Sequence, residues 1–93
     1  IYKEFFTNHK ACKFIDERKN SKSNFWLNAL CFKDGNLRNT FLQECLENNI
    51  FARPVWKSLP SLKPFQTWQK DELLNTQKLE KCLVNLPSSV RLN

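Results

Sequence analysis

Glycine is almost missing from this sequence: Gly35 is the only one among 93 residues. A phosphate-binding loop is therefore excluded, because such a loop needs several glycines to bring its backbone close to a phosphate. Histidine is equally scarce, with His9 alone, and none of the four cysteines belongs to a C-x-x-C pair. This shortage of paired ligands argues against a zinc site. We also find no nucleophile elbow and no recognisable cysteine–histidine motif, so the chain carries no catalytic constellation of its own.

Methionine is missing altogether, and the chain opens directly on an apolar helical pattern from Ile1 to Phe6. We therefore expect the sequence to be a fragment of a longer protein. No apolar run is long enough to span a membrane, and no stretch has the pattern of a secretory signal peptide. The four cysteines are interpreted as mostly buried, reduced thiols of a cytoplasmic protein. They are Cys12, Cys31, Cys45 and Cys82.

The composition that remains is typical of one small globular domain, with 41% hydrophobic and 13% aromatic residues. The formal net charge is +6, and the densest basic stretch runs from Lys10 to Lys22. This charge permits an anionic partner, such as nucleic acid, a membrane surface or a phosphorylated small molecule. The charge does not distinguish between these partners, and a basic loop that simply faces solvent would have the same composition.

Hydrophobic periodicity predicts an α+β domain, an α/β sandwich with helices on one face of a small antiparallel or mixed sheet. Alternation favours strands over residues 11–16 and 24–33, joined by a polar loop as in an antiparallel hairpin. One face of the second strand is predicted to hold Phe25, Leu27, Ala29 and Cys31. Trp26, Leu30 and Phe32 are predicted on its other, largely covered face.

Two helices are predicted further along the chain. The first begins near Leu37, where Asp34 or Asn36 caps it. It ends at Asn48 and Asn49, since asparagine tolerates the left-handed conformation that stops a helix. The second helix covers residues 74–83, and residues 85–89 are predicted to form a turn.

Ile50 to Trp56, I-F-A-R-P-V-W, is the strand around which we expect the domain to be organised. Its aromatic and β-branched residues favour a strand. Pro54 places that strand at a sheet edge or ends it there, because proline donates no ladder hydrogen bond. Arg53, set among apolar residues, needs an acidic partner or an anion.

Four ordered blocks carry a family resemblance: S-N-F-W-L-N-A-L (23–30), E-N-N-I (47–50), A-R-P-V-W with a later P-F (52–56 and 64–65), and V-N-L-P-S-S-V (84–90). This set resembles the C-terminal small domain of the DegT/DnrJ/StrS family, the pyridoxal-phosphate-dependent sugar aminotransferases. The N-L-P-S-S ending looks like the subgroup that aminates UDP-linked 4-keto sugars on the way to bacillosamine- or legionaminic-acid-type sugars.

The resemblance implies a homodimeric enzyme that transfers an amino group from an amino-acid donor to a nucleotide-linked keto sugar, for cell-surface glycan precursors. The Schiff-base lysine and the pyridoxal 5′-phosphate site would lie in a large domain that, like the family's final helix, these residues do not contain. The chain would cover the cofactor cleft and be inactive alone, with no nucleic-acid or membrane partner. Arg53 would bind a substrate phosphate or carboxylate, and Trp56 a sugar or base ring. Pro60 departs from the family, in which many relatives carry His or Asn.

Alternatives stay open at this point. Arg53 would instead pair with an acidic side chain and Trp56 would lie in the core. The whole chain would instead be a stand-alone basic module that binds nucleic acid through residues 10–22, although it lacks the usual nucleic-acid motifs. A third alternative is an interaction domain, whose sign would be a large exposed apolar patch.

Overall fold

The computed structural model describes residues 1–89, which form a four-stranded antiparallel sheet and three α-helices. The elements are α1 (Tyr2–Phe6), β1 (Cys12–Phe14), β2 (Asn28–Phe32), α2 (Gly35–Glu47), β3 (Arg53–Pro54), α3 (Leu74–Cys82) and β4 (Leu83–Leu86). Short 3-10 turns at Leu59–Ser61 and Lys63–Phe65 interrupt the loop between β3 and α3. The strand order is β1-β2-β4-β3. The predicted α+β class and the β1–β2 hairpin are confirmed.

One face of the sheet carries the hydrophobic core. Leu30 of β2 lies opposite Val84 of β4, and both side chains are 0% exposed. Because side chains alternate along a strand, every second residue of β1, β2 and β4 joins them on this face. The cluster comprises Cys12, Phe14, Leu30, Phe32, Val84 and Leu86. Tyr2 and Phe6 of α1 and Phe41 and Leu42 of α2 pack against it.

Both ends of α2 follow the local sequence signals. The Asp34 carboxylate accepts a 2.9 Å hydrogen bond from the Leu37 backbone N–H, as an N-cap does. At the other end Asn49 adopts φ = 57°. The Ile50 N–H then bonds the Cys45 carbonyl at 2.7 Å, which is part of a Schellman motif. The predicted cap and the predicted stop are both confirmed.

The predicted strand over residues 24–33 is wrong in its first half. β2 begins only at Asn28, because Phe25 adopts φ = 47° and breaks the extended backbone. The period-two pattern is thereby interrupted. Phe25 packs against the core cluster rather than beside Ala29 and Cys31, and Trp26, predicted to be covered, is 69% exposed.

The expectation that Ile50 to Trp56 organises the fold is also wrong. Only Arg53–Pro54 pairs, as the edge strand β3, so the edge position implied by Pro54 is confirmed. The central strands are β2 and β4. β4 replaces the predicted turn at Asn85–Leu86, because helix α3 ends at Cys82 and the chain continues directly as a strand.

All four cysteines are free, and Cys12, Cys45 and Cys82 are buried. Burial raises the pKa of the Cys12 and Cys45 thiols, which keeps the reactive thiolate form scarce. None of the helices described within residues 1–89 has the length and apolar character needed to cross a membrane.

Candidate functional site

Arg53 lies on the edge strand β3, on the sheet face that points away from the core. In the ladder it stands opposite Asn85, which in turn stands opposite Ala29 of β2. The neighbouring row, Pro54–Val84–Leu30, contains two core residues. Since adjacent rows of a sheet point to opposite faces, the row of Arg53 belongs to the outer face.

The outer face combines an apolar floor with cationic edges. Cys31 and Leu83 stand opposite each other in the middle of the sheet and are half-buried. Lys13 stands opposite Cys31 on the β1 side, whereas Arg53 stands on the β3 side. Among residues 1–89, the Arg53 guanidinium makes no hydrogen bond and no ion pair, and the residue is exposed. An unpaired guanidinium at the edge of an apolar surface is suited to an anionic group.

Trp56 lies just beyond β3 and is 80% exposed. The preceding residue, Val55, still donates a 3.4 Å hydrogen bond to the Leu83 carbonyl, so the indole projects at the point where pairing with β4 stops. Arg53 and Trp56 thus each lie in or next to the edge strand β3, and both side chains are accessible to solvent. Neither side chain has the buried, paired environment of the structural alternative.

A cavity of about 560 Å³, lined mainly by polar and charged residues, lies between the loop after β3 and helix α3. The Glu80 carboxylate accepts a 3.3 Å hydrogen bond from the Ser58 N–H. Hydrogen bonds from Ser58 and the positive charges of Lys57 and Arg38 lower the pKa of Glu80. Pro60 lines this cavity. Glu80 cannot be recognised from the sequence, because an isolated glutamate in a helical pattern gives no sign that the backbone of a distant loop donates a hydrogen bond to it.

The structure also brings together a thiol and the only histidine. The Cys12 Sγ lies 3.7 Å from His9 Nδ1. Burial raises the pKa of Cys12, whereas a cysteine nucleophile needs a lowered pKa. The pair therefore does not have the electrostatics of a catalytic dyad. No group of three or more potential metal ligands is found in the described part of the chain.

The basic stretch from Lys10 to Lys22 contains strand β1, whose Cys12 and Phe14 are buried, and continues after it as an exposed loop over residues 15–22. Glu17 accepts a 2.7 Å hydrogen bond from the Ser23 N–H, and Asp16 forms an ion pair with Lys3 of α1. The acidic side chains of the loop are thus engaged within the domain, while its cationic side chains remain in solvent.

Comparison of the chain with families of known proteins, with curated proteins and with solved structures finds no match.

Proposed function

We propose that the chain is the small C-terminal domain of a cytoplasmic, pyridoxal-phosphate-dependent aminotransferase that acts on a nucleotide-linked keto sugar. The single observation that carries the proposal is the exposed, unpaired position of the Arg53 side chain. It belongs to the block A-R-P-V-W, and it stands exposed at the sheet edge without an acidic partner in residues 1–89. The α+β sheet with α1 and α2 on one face agrees with a small domain of this kind.

In this proposal the chain supplies one wall of a substrate site. The Arg53 guanidinium binds a phosphate or carboxylate of the nucleotide sugar with charge-assisted hydrogen bonds. Trp56 offers an accessible indole face to a sugar or base ring. The cofactor supplies the electron sink for amino transfer and is held by the large domain of the same enzyme. No residue described here is assigned to the cofactor.

A second candidate function, an interaction domain, is favoured by a specific observation. Apolar side chains at the end of α2 and around β3 are exposed, among them Leu46, Ile50, Phe51 and Leu59. Phe51 is the most exposed of these four, at 67%. In the aminotransferase this surface would meet the large domain or the second subunit. In a stand-alone chain it would drive self-association, which sedimentation at rising protein concentration would detect.

The first experiment measures the native product in source cells with an antibody raised against this domain. The aminotransferase proposal expects a product several-fold heavier than 11.1 kDa, which is yellow after purification and absorbs visible light. A native product of 11.1 kDa would overturn the proposal, because that chain cannot hold the cofactor lysine.

The role of Arg53 is tested by Arg53→Ala in the intact enzyme. Loss of a charge-assisted contact is expected to raise the KM for the nucleotide sugar by about 10- to 100-fold. The KM for the amino donor should change little. Lys57→Ala removes a neighbouring exposed cation and serves as the control for a general charge effect. An unchanged KM in Arg53→Ala would remove Arg53 from the substrate site.

A further inference from the structure

A separate cavity of about 730 Å³ opens at the end of the sheet where β1 and β4 end and β2 begins. Phe14 and Phe25 form its aromatic floor, and Tyr2 of α1 stands at its side. The segment after β4, Pro87 to Ser89, also lines it. The volume falls in the range of small-molecule pockets, roughly 300 to 1,000 Å³. Phe14 also belongs to the core cluster, so the cavity lies on the core side of the sheet, whereas Arg53 lies on the outer side.

The floor of the cavity depends on a strained backbone. Phe25 adopts φ = 47°, a conformation that a bulky side chain rarely takes. Ser23 Oγ accepts a 3.0 Å hydrogen bond from the Phe25 N–H, and the Asn28 side-chain amide donates a 3.3 Å bond to the Phe25 carbonyl. The Phe25 ring stacks with Phe14 at a centroid distance of 6.2 Å. Strain held in place in this way is concentrated at functional sites in proteins.

The same turn separates two consecutive aromatic residues. Phe25 lines the cavity, while Trp26 is 69% exposed and is not part of its wall. Trp26 is held by a 3.0 Å hydrogen bond from its backbone N–H to Asn24 Oδ1. The turn therefore places the Phe25 ring in the cavity wall. Trp26, the next aromatic residue, lies outside the cavity and can serve as a comparison.

The polar groups of the wall are neutral hydrogen-bonding groups. Tyr2 Oη donates its proton to the Pro87 carbonyl at 2.7 Å, which leaves its lone pairs as acceptors. The Asn28 amide retains its carbonyl oxygen as an acceptor. The hydroxyls of Ser88 and Ser89 make no hydrogen bond to any residue in 1–89 and are both donors and acceptors. Lys3 has the only charged side chain of the wall, and its ammonium is paired with Asp16. The α-amino group of Ile1, which also lines the cavity, lies 3.6 Å from the Glu4 carboxylate.

We propose that this cavity binds a neutral, hydroxyl-rich ring, that is, the pyranose ring of a carbohydrate. The apolar face of the ring packs on Phe25. Its hydroxyls donate to the Tyr2 oxygen and the Asn28 carbonyl, and they exchange hydrogen bonds with Ser88 and Ser89. A neutral ligand fits because both cationic groups of the wall are paired, the Lys3 ammonium with Asp16 and the Ile1 α-amino group with Glu4. This site is distinct from the sheet edge of Arg53, and the inference does not depend on the aminotransferase proposal.

The test titrates the 93-residue chain with N-acetylglucosamine or methyl β-glucoside and follows its backbone amide resonances by NMR. Saturable shifts confined to the cavity residues are expected, with a Kd in the millimolar range, about 1 to 10 mM. Cyclohexanol, an apolar ring with one hydroxyl, is the matched probe. No shift at about 100 mM sugar would overturn the proposal, as would cyclohexanol binding at least as tightly as the sugars.

Variants then locate the site. Phe25→Leu keeps an apolar side chain but removes the aromatic face, and it should weaken sugar binding about fivefold. Trp26→Leu makes the same change one position away and should leave binding unchanged. If Phe25→Leu does not fold, the double variant Ser88→Ala and Ser89→Ala changes only exposed hydroxyls and should weaken binding about fivefold as well. Equal binding by these variants and the unaltered chain, or loss of binding in Trp26→Leu alone, would overturn the proposal.

Discussion

The hydroxyl of Tyr2 donates a 2.7 Å hydrogen bond to the backbone carbonyl of Pro87, 85 positions further along the chain. The bond joins the first helix to the segment that follows the last strand. Tyr2 also packs its ring against the core cluster. One side chain thus contributes apolar contact at its base and a long-range polar contact at its tip, as is common for partly buried tyrosines.

Tyr2→Phe should destabilise the domain because it keeps the ring and removes only this bond. The expected loss is about 1 kcal/mol, which corresponds to a decrease in Tm of about 4 to 8 °C for a domain of this size. Thermal unfolding followed by circular dichroism measures it. Thr67→Val is the control, since the exposed Thr67 hydroxyl makes no hydrogen bond to the described residues. Equal Tm values for Tyr2→Phe and the unaltered chain would show that the bond adds nothing to stability.

The stability of the sheet should depend far more on Leu30 than on Leu27, although both leucines belong to the same predicted strand. Leu30 is 0% exposed and faces Val84 at the centre of the sheet, whereas Leu27 is 44% exposed and precedes β2. Leu30→Ala removes buried volume and leaves a cavity, at a cost of about 2 to 5 kcal/mol. Leu27→Ala should cost about 1 kcal/mol or less.

Urea unfolding of both leucine variants measures this difference. If Leu30→Ala does not fold, the folded spectrum of Leu27→Ala provides the comparison, because a small domain has a total stability of only about 5 to 15 kcal/mol. Similar losses for the two variants would contradict the assignment of Leu30 to the core.

Local signals in the sequence predicted local structure well. The sequence predicts Asp34 or Asn36 as the cap of α2 and Asn48 and Asn49 as its stop, and the structure has Asp34 and Asn49 in these roles. Such predictions succeed because capping depends only on a residue and its near neighbours. Strand β4 was missed for the opposite reason. Residues 83–86 become a strand through pairing with β2, which lies far earlier in the chain, and their four-residue pattern alone does not distinguish a strand from a helix end.

The sequence likewise indicates one of the two candidate sites and gives no sign of the other. The exposure of Arg53 and Trp56 at a sheet edge agrees with what Pro54 indicates in the sequence. The cavity beside Phe25 was not predicted, because it is assembled from both ends of the chain. It also requires a left-handed backbone at a phenylalanine, which nothing in the residue type favours.

Asp34 should contribute measurably to the stability of α2 through its cap. Asp34→Ala removes the acceptor of the Leu37 N–H and should cost about 1 kcal/mol, within the range of roughly 0.5 to 2 for N-cap residues. Asp34→Asn is the matched control, because asparagine caps helices about as well as aspartate. Chemical unfolding of the two variants should separate them clearly. A loss in Asp34→Asn as large as that in Asp34→Ala would assign the effect to charge and not to capping.

Glu80 should make the stability of the domain depend on pH in the acidic range. Hydrogen bonds from Ser58 and the charges of Lys57 and Arg38 lower the pKa of Glu80 in the folded state. A lowered folded pKa stabilises the domain above the unfolded pKa of about 4.3. This stabilisation is lost as the pH falls through the folded value, because the unfolded chain then binds the proton more readily.

Glu80→Gln should accordingly destabilise the domain near neutral pH, and the difference from the unaltered chain should shrink as the pH falls from about 6 towards about 3. Urea unfolding across this range measures it. Ser58→Ala removes the hydroxyl but keeps the backbone N–H that bonds Glu80, so it should lose only part of the same pH dependence. A Glu80→Gln effect of constant size from about pH 6 to about pH 3 would show that the carboxylate charge does not stabilise the contact between α3 and the loop after β3.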